Sequence, residues 1–143
     1  MKTRSIAYAA TTALTALGFA FGGIADLMHN PEVVEGMTHL GYPAYLATLL
    51  GIWKVLGAAA IVAPGTARLK EFAYAGILFD LTGAAFSHAA SGDPAGQVIT
   101  PLVLLGIAAA SYALRPASRS LGAPLLAEKA SSAAVGGAAA SAV

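Results

Sequence analysis

Lys54 lies in the middle of one apolar stretch of bilayer length, and Asp80 lies in the middle of the next. Placing such a charge in hydrocarbon costs from about 3 to more than about 10 kcal/mol, so residues of this kind face a bundle interior and take a partner. At about 1.5 Å of rise per residue, both sit roughly ten residues from the same end of their stretches, and so at similar depth. The expected arrangement is an ammonium–carboxylate pair at the floor of a polar pocket. Asp26, His88 and Thr100 fall in the outer third, where a carboxylate and an imidazole are suited to acid/base work. Asp26, Asp80 and His88 are thus the candidate catalytic residues; Lys54, Trp53, Ser87 and Thr100 are the candidate binding residues. Each has a plainer reading: a salt bridge joining two helices, a hydrated or capping Asp26, a hydrogen-bonded interfacial His88, a packing Trp53. There is no phosphate loop, metal quartet or nucleophilic triad. A haem between His29 and His88 gains nothing from their surroundings, since both lie near the end of a stretch. No cofactor is specified.

The elements that must position these residues are helices. The 143 residues are 57% hydrophobic and 10% charged, with a mean hydropathy of +0.72. Soluble domains carry about 25% charged residues, so the composition is that of a membrane protein. Cysteine is absent, which excludes disulfides and thiolate-bound clusters within the chain. Four segments approach the roughly 20 residues a spanning helix needs: Ser5 to Leu27, Pro43 to Ala63, Phe72 to Ala90 and Val98 to Leu114. Pro31, Pro43, Pro64-Gly65, Asp93-Pro94 and Pro116 punctuate their ends. The predicted fold is all-α, a four-transmembrane-helix bundle over residues 1–116 followed by an Ala/Ser/Gly-rich tail over 117–143 that is expected to be disordered. A cleaved-signal reading of the first segment is less apt, because its apolar run exceeds the usual h-region of about 7–15 residues. Val33, Val34, Met37 and Leu40 recur at helical spacing and predict a short interfacial helix between the first two spans.

Charge placement sets the expected topology. Lys2, Arg4, Arg68, Lys70, Arg115, Arg119 and Lys129 all fall on one side, whereas the first and third connections carry only acidic charge. By the positive-inside rule both termini are cytoplasmic, and the expected location is a bacterial plasma membrane. Lipid supplies no hydrophobic drive for helices to associate, so small residues and polar contacts must do it. Gly18, Gly22 and Asp26 form one such stripe; Gly51, Lys54 and Ala58 a second; Gly76, Asp80, Gly83, Ala84, Ser87 and His88 a third.

Several blocks together resemble the DoxX-like family of small four-helix membrane proteins. They are His39-Leu40-Gly41-Tyr42-Pro43, Leu50-Gly51-Ile52-Trp53-Lys54-Val55-Leu56-Gly57, Arg68 through Gly76, and Gly83-Ala84-Ala85-Phe86-Ser87-His88 with Gly92-Asp93. The resemblance covers roughly the first 115 residues and leaves out the tail. It implies subunits associated with quinone-linked redox systems, so the first functional expectation is an accessory membrane subunit. Such a subunit would bind a lipophilic small molecule, such as a quinone, in an outward-opening pocket. A membrane-embedded enzyme using Asp26, Asp80 and His88 for hydration, isomerisation or epoxide opening is the alternative. A purely structural membrane subunit is a third reading. Expected partners are the membrane, a lipophilic molecule, and other membrane subunits or a second copy of the chain, with no nucleic acid.

Overall fold

The structure is a computed structural model, and it describes residues 2–121. The predicted tail therefore lies, from residue 122 onward, outside the described residues. Five α-helices follow in order: α1 (Lys2–Leu27), α2 (Pro31–His39), α3 (Tyr45–Val62), α4 (Ala67–Ala90) and α5 (Ala95–Leu114), with a last 3-10 turn at Ala117–Arg119. All described regular structure is helical. The long helices pack in the ring order α1, α3, α4, α5 and back to α1, while the diagonal pairs α1/α4 and α3/α5 do not approach one another closely.

Local chemistry explains the boundaries. Asn30 caps α2 by accepting from the Glu32 backbone N–H, Pro31 opens the helix, and Glu32 lies in its first turn against the helix dipole. At the close of the α4 and α2 ends, Gly92 and Gly41 take positive φ of 74° and 79°, which a side chain would resist. By length and apolar composition α1, α3 and α5 can each cross a membrane. The fourth predicted span, α4, has 24 residues and is longer than α3 or α5, but it is more polar than those three. Arg68, Lys70, Glu71, Asp80, Ser87 and His88 all lie within it.

The core is narrow: Ala16, Phe19, Ala58, Ile61, Tyr74, Ile77, Leu81 and Ala108. Larger side chains point the other way, with Phe21, Leu56, Phe72, Phe79 and Phe86 at least 62% exposed. An apolar exterior of this extent, around an interior that also holds Thr12, Asp26, Lys70 and Ser111, is the distribution of an integral-membrane protein. Inside it, the Tyr74 and Thr12 hydroxyls meet Ser111 Oγ at 2.6 and 2.7 Å, all three residues buried. This chain ties α1, α4 and α5 together where lipid offers no hydrophobic drive.

Two of the three predicted stripes need correction. On α1 a Cβ on Gly18 or Gly22 would meet nothing, and the buried face instead runs Thr12, Thr15, Ala16, Phe19, Gly23 and Asp26. On α4 the buried face is Lys70, Tyr74, Ile77, Leu81, Ala85 and Ser87, and Gly76 and Gly83 are exposed. Tyr74, Ile77 and Leu81 of α4 fill the centre of the narrow bundle, while Gly76 and Gly83 share the outer faces with Phe72, Phe79 and Phe86. The α3 stripe stands as predicted for Gly51 and Ala58, both buried.

Candidate functional site

The α1/α3 crossing builds the site. A Cβ on Gly23 would lie 2.9 Å from the Gly51 carbonyl oxygen, and one on Gly51 would lie 2.8 Å from the Gly23 oxygen. The two backbones can approach this closely only because both residues are glycine. Just beyond the contact, Lys54 Nζ donates to Asp26 Oδ2 at 2.8 Å. The Asp26 side chain is 7% exposed and that of Lys54 21%.

This corrects the predicted Lys54–Asp80 pair. Lys54 bonds Asp26, because the glycine crossing brings α1 nearer to it than α4, and its long stem reaches along α3 to the carboxylate. Asp80 lies near enough to feel the charges of both Lys54 and Asp26. Among the described residues, none hydrogen-bonds its carboxyl.

Two grooves meet at this cluster. One, of about 520 Å³, opens through the α3/α4 seam; Trp53, Leu56, Phe72, Gly76, Lys54 and Asp80 are among its walls. Along α3 its walls reach from Leu50 to Ala60, and along α4 from Leu69 to Asp80. The sequence leads to the expectation of a polar pocket here, and the lining is instead mostly apolar. The other, of about 250 Å³, lies at the α1/α5 seam and is walled by Leu14, Gly18, Gly22, Leu104 and Ile107. Phe19, Lys54 and Asp80 belong to both. A third groove, of about 340 Å³, follows the α4/α5 seam past Tyr74 and Tyr112.

Of the predicted site residues, Asp26, Lys54, Asp80 and Trp53 come together, whereas His88, Ser87 and Thr100 lie elsewhere. His88 Nδ1 bonds Asp93 Oδ2 at 2.7 Å, and His39 Nε2 of α2 bonds Asp93 Oδ1 at 2.6 Å. One carboxylate thus joins two imidazoles and ties α2 to the connection after α4. These hydrogen bonds, His88 first and His39 second, hold the Asp93 carboxyl below the usual aspartate range. Ser87 bonds the Tyr42 hydroxyl at 2.8 Å, and Thr100 returns its hydroxyl to the Gly96 carbonyl. His29 Nε2 bonds the Thr48 hydroxyl at 2.9 Å.

Sequence reasoning missed two positions. Lys70 is fully buried, and its ammonium donates to the carbonyls of Ala60 at 2.8 Å and Ile61 at 3.0 Å, and to that of Ala63. It satisfies the open C-terminal carbonyls of α3, where the helix dipole favours a cation. Its only signal was a lysine a few residues beyond a helix end. Arg115 was read as a topology charge; it bonds Glu71 at 2.9 Å and lies 3.9 Å from the centre of the Tyr112 ring.

A sequence model of the DoxX-like family matches residues 10–111. The chain belongs to the DoxX-like family. Of the five α-helices of this DoxX-like protein, the match leaves out only the start of α1 and the last turn of α5; residues 115–143 lie beyond it. Asp26, Lys54, Asp80, His88 and Asp93 all lie inside it, and Arg115 outside. No curated protein and no solved structure matches the chain.

Proposed function

We propose that this DoxX-like protein is a membrane-embedded acid/base site for a lipophilic molecule taken from the bilayer through the α3/α4 seam. One observation carries the reading: Asp80 lines the groove with a carboxyl that no described residue hydrogen-bonds. A polar group left without a partner in such surroundings costs free energy, which a bound molecule with a matching group recovers. Lys54 stands beside it as a cation held by Asp26, suited to stabilising negative charge that develops on the bound molecule. Asp80 takes a proton from one atom of the substrate and returns it to another. On the substrate alone this is isomerisation; with water as co-reactant, whose proton Asp80 takes and delivers to the substrate while the water oxygen bonds to carbon, it is hydration or epoxide opening, without net electron transfer. His88 has no part in it, because its partner is Asp93.

The groove's volume of about 520 Å³ falls within the range of small-molecule sites, about 300–1,000 Å³. α4 is the fourth span, and Lys70, Tyr74 and Ser87 on it are buried within the protein. Lys2, Arg4, Arg68, Lys70, Arg115 and Arg119 lie at the end opposite α2. By the charge rule that end is cytoplasmic, α2 lies along the outer surface, and the membrane is a bacterial plasma membrane. A second reading, a quinone-binding accessory subunit, is favoured by the ammonium of Lys54, which faces both grooves with donors left over after its bond to Asp26.

Mass spectrometry of what is extracted with the purified protein tests the proposal. Gly76 lines the groove and a side chain there meets no neighbour, so Gly76→Leu fills the space without disturbing the packing. The wild type is expected to carry a lipophilic species that Gly76→Leu lacks, and Asp80→Asn to carry it unconverted. Identical extracts from wild type and Gly76→Leu would overturn it. Recovery of a quinone unchanged by Asp80→Asn would select the second reading.

A further inference from the structure

The smaller α1/α5 groove has no role in the scheme above, yet it ends on the same two polar side chains. We infer that it is a second site, for a compact lipophilic alcohol whose hydroxyl engages Asp80 and Lys54 from the opposite side of the bundle. This rests on the reading of Asp80 as a polar anchor for bound molecules.

The α1/α5 and α3/α4 seams are opposite sides of the helix ring. Each opens a groove inward, and Phe19, Lys54 and Asp80 form the wall between them. The α1/α5 groove exists because Gly18 and Gly22, expected to serve close helix packing, have open space where a side chain would stand, beside Leu104 and Ile107. Its volume of about 250 Å³ is half that of its neighbour and suits a smaller molecule. The rest of its wall is apolar apart from Thr15, whose hydroxyl donates to the Thr11 carbonyl within α1.

The chemistry of the two anchors selects the group. Lys54 offers only N–H donors, and a carboxylate at Asp80 offers only acceptors. A hydroxyl is donor and acceptor in one atom, so it can give to Asp80 while receiving from Lys54. A ketone or ether can only receive, and an alkane does neither. Desolvated hydrogen bonds of this kind separate a molecule that has the group from one that lacks it.

A diazirine-labelled octanol and the matching diazirine-labelled octane, photo-cross-linked to the protein in detergent micelles and mapped by peptide sequencing, test this. Octanol is expected to label both seams, and octane to label the α1/α5 groove at least about fivefold less, the factor one net hydrogen bond supplies. Gly22→Leu should remove octanol labelling of Leu104 and Ile107 while sparing the α3/α4 seam; Asp80→Ala should reduce labelling at both. Gly83→Leu, which lines neither groove and meets no neighbour, controls for folding, with helical content measured for each variant. Equal labelling by octanol and octane, or Leu104 labelling that survives Gly22→Leu, overturns the second site. If Gly76→Leu still displaces label from the α3/α4 seam, the first site survives that result. If neither filling variant displaces anything, both sites fall.

Discussion

Gly23 and Gly51 touch backbone to backbone, and Asp26 and Lys54 meet at 2.8 Å immediately beyond that contact. The crossing selects the ion pair: without the glycines, α1 would stand too far from α3 for Lys54 to reach its carboxylate. Gly23→Ala and Gly51→Ala should therefore each destabilise the fold by about 1–3 kcal/mol, the usual cost of overpacking. Gly18→Ala and Gly22→Ala, with open space around them, should be neutral or stabilising by up to about 1 kcal/mol through helix propensity. Thermal unfolding of the four variants in one detergent checks the contrast.

The Asp26–Lys54 pair itself should behave as a buried pair. Lys54→Met leaves a carboxylate that is 7% exposed without its cation, and removing one partner of such a pair costs about 3–5 kcal/mol. Replacing both, Asp26→Leu with Lys54→Met, should recover most of that loss. A double-mutant cycle on chemical unfolding measures the coupling; a pair whose two single variants add up to the double variant is not coupled.

How far this was legible in the sequence differs by residue. The apolar runs and the prolines that bound them mark the helices, and the cost of charge in hydrocarbon singles out Lys54 and Asp80. Choosing Lys54's partner needed more than depth, because two carboxylates lay within reach and the crossing at Gly23 and Gly51 decided between them. The periodicity of α1 offers Gly18, Gly22 and Gly23 alike, and only packing against α3 tells which glycine meets a neighbour. His88 and Asp93 are five positions apart, but their contact depends on the turn at Gly92, and that of His39 on where α2 comes to rest. Lys70 reads as a loop charge until its backbone continues into α4 and carries it beneath α3.

The Asp93 bridge should give the α2 attachment a dependence on pH. Hydrogen bonds from His88 and His39 lower the carboxyl's folded pKa, so its stabilising contribution is complete above the unfolded value of about 3.9. It is lost as pH falls through the folded value. Wild type should unfold at higher temperature than Asp93→Asn near neutral pH, and the gap should narrow as pH drops below about 4. Equal unfolding temperatures near neutral pH would show the bridge to be energetically idle, and a gap that stays constant down to pH 3 would show that it does not depend on the ionised carboxyl.

Lys70 should matter more than any other cation. Its ammonium serves three carbonyls at the end of α3, all within the protein. Lys70→Met leaves these acceptors unpaired, each at about 1–3 kcal/mol, so a loss of about 3 kcal/mol or more is expected. Arg68→Met, at an exposed position two residues away, should change stability by less than about 0.5 kcal/mol. Parallel unfolding curves of the two variants decide this.

Asp80 should show the opposite pattern to Asp26, and the difference separates a functional carboxyl from a structural one. Asp26 is held by Lys54, so neutralising it breaks a bond the fold uses. Asp80 receives no hydrogen bond from the described residues, and its removal breaks none. Asp80→Asn should thus leave the unfolding temperature unchanged or raised, since no hydrogen bond is lost and a neutral amide costs less to desolvate than a carboxylate. The same substitution should abolish conversion of the bound lipophilic molecule while Asp26→Asn lowers stability. Unfolding temperature and extract composition, measured on the same preparations, test both halves. If Asp80→Asn destabilises the bundle as much as Asp26→Asn does, the carboxyl belongs to the scaffold, and the groove it lines has lost its reactive group.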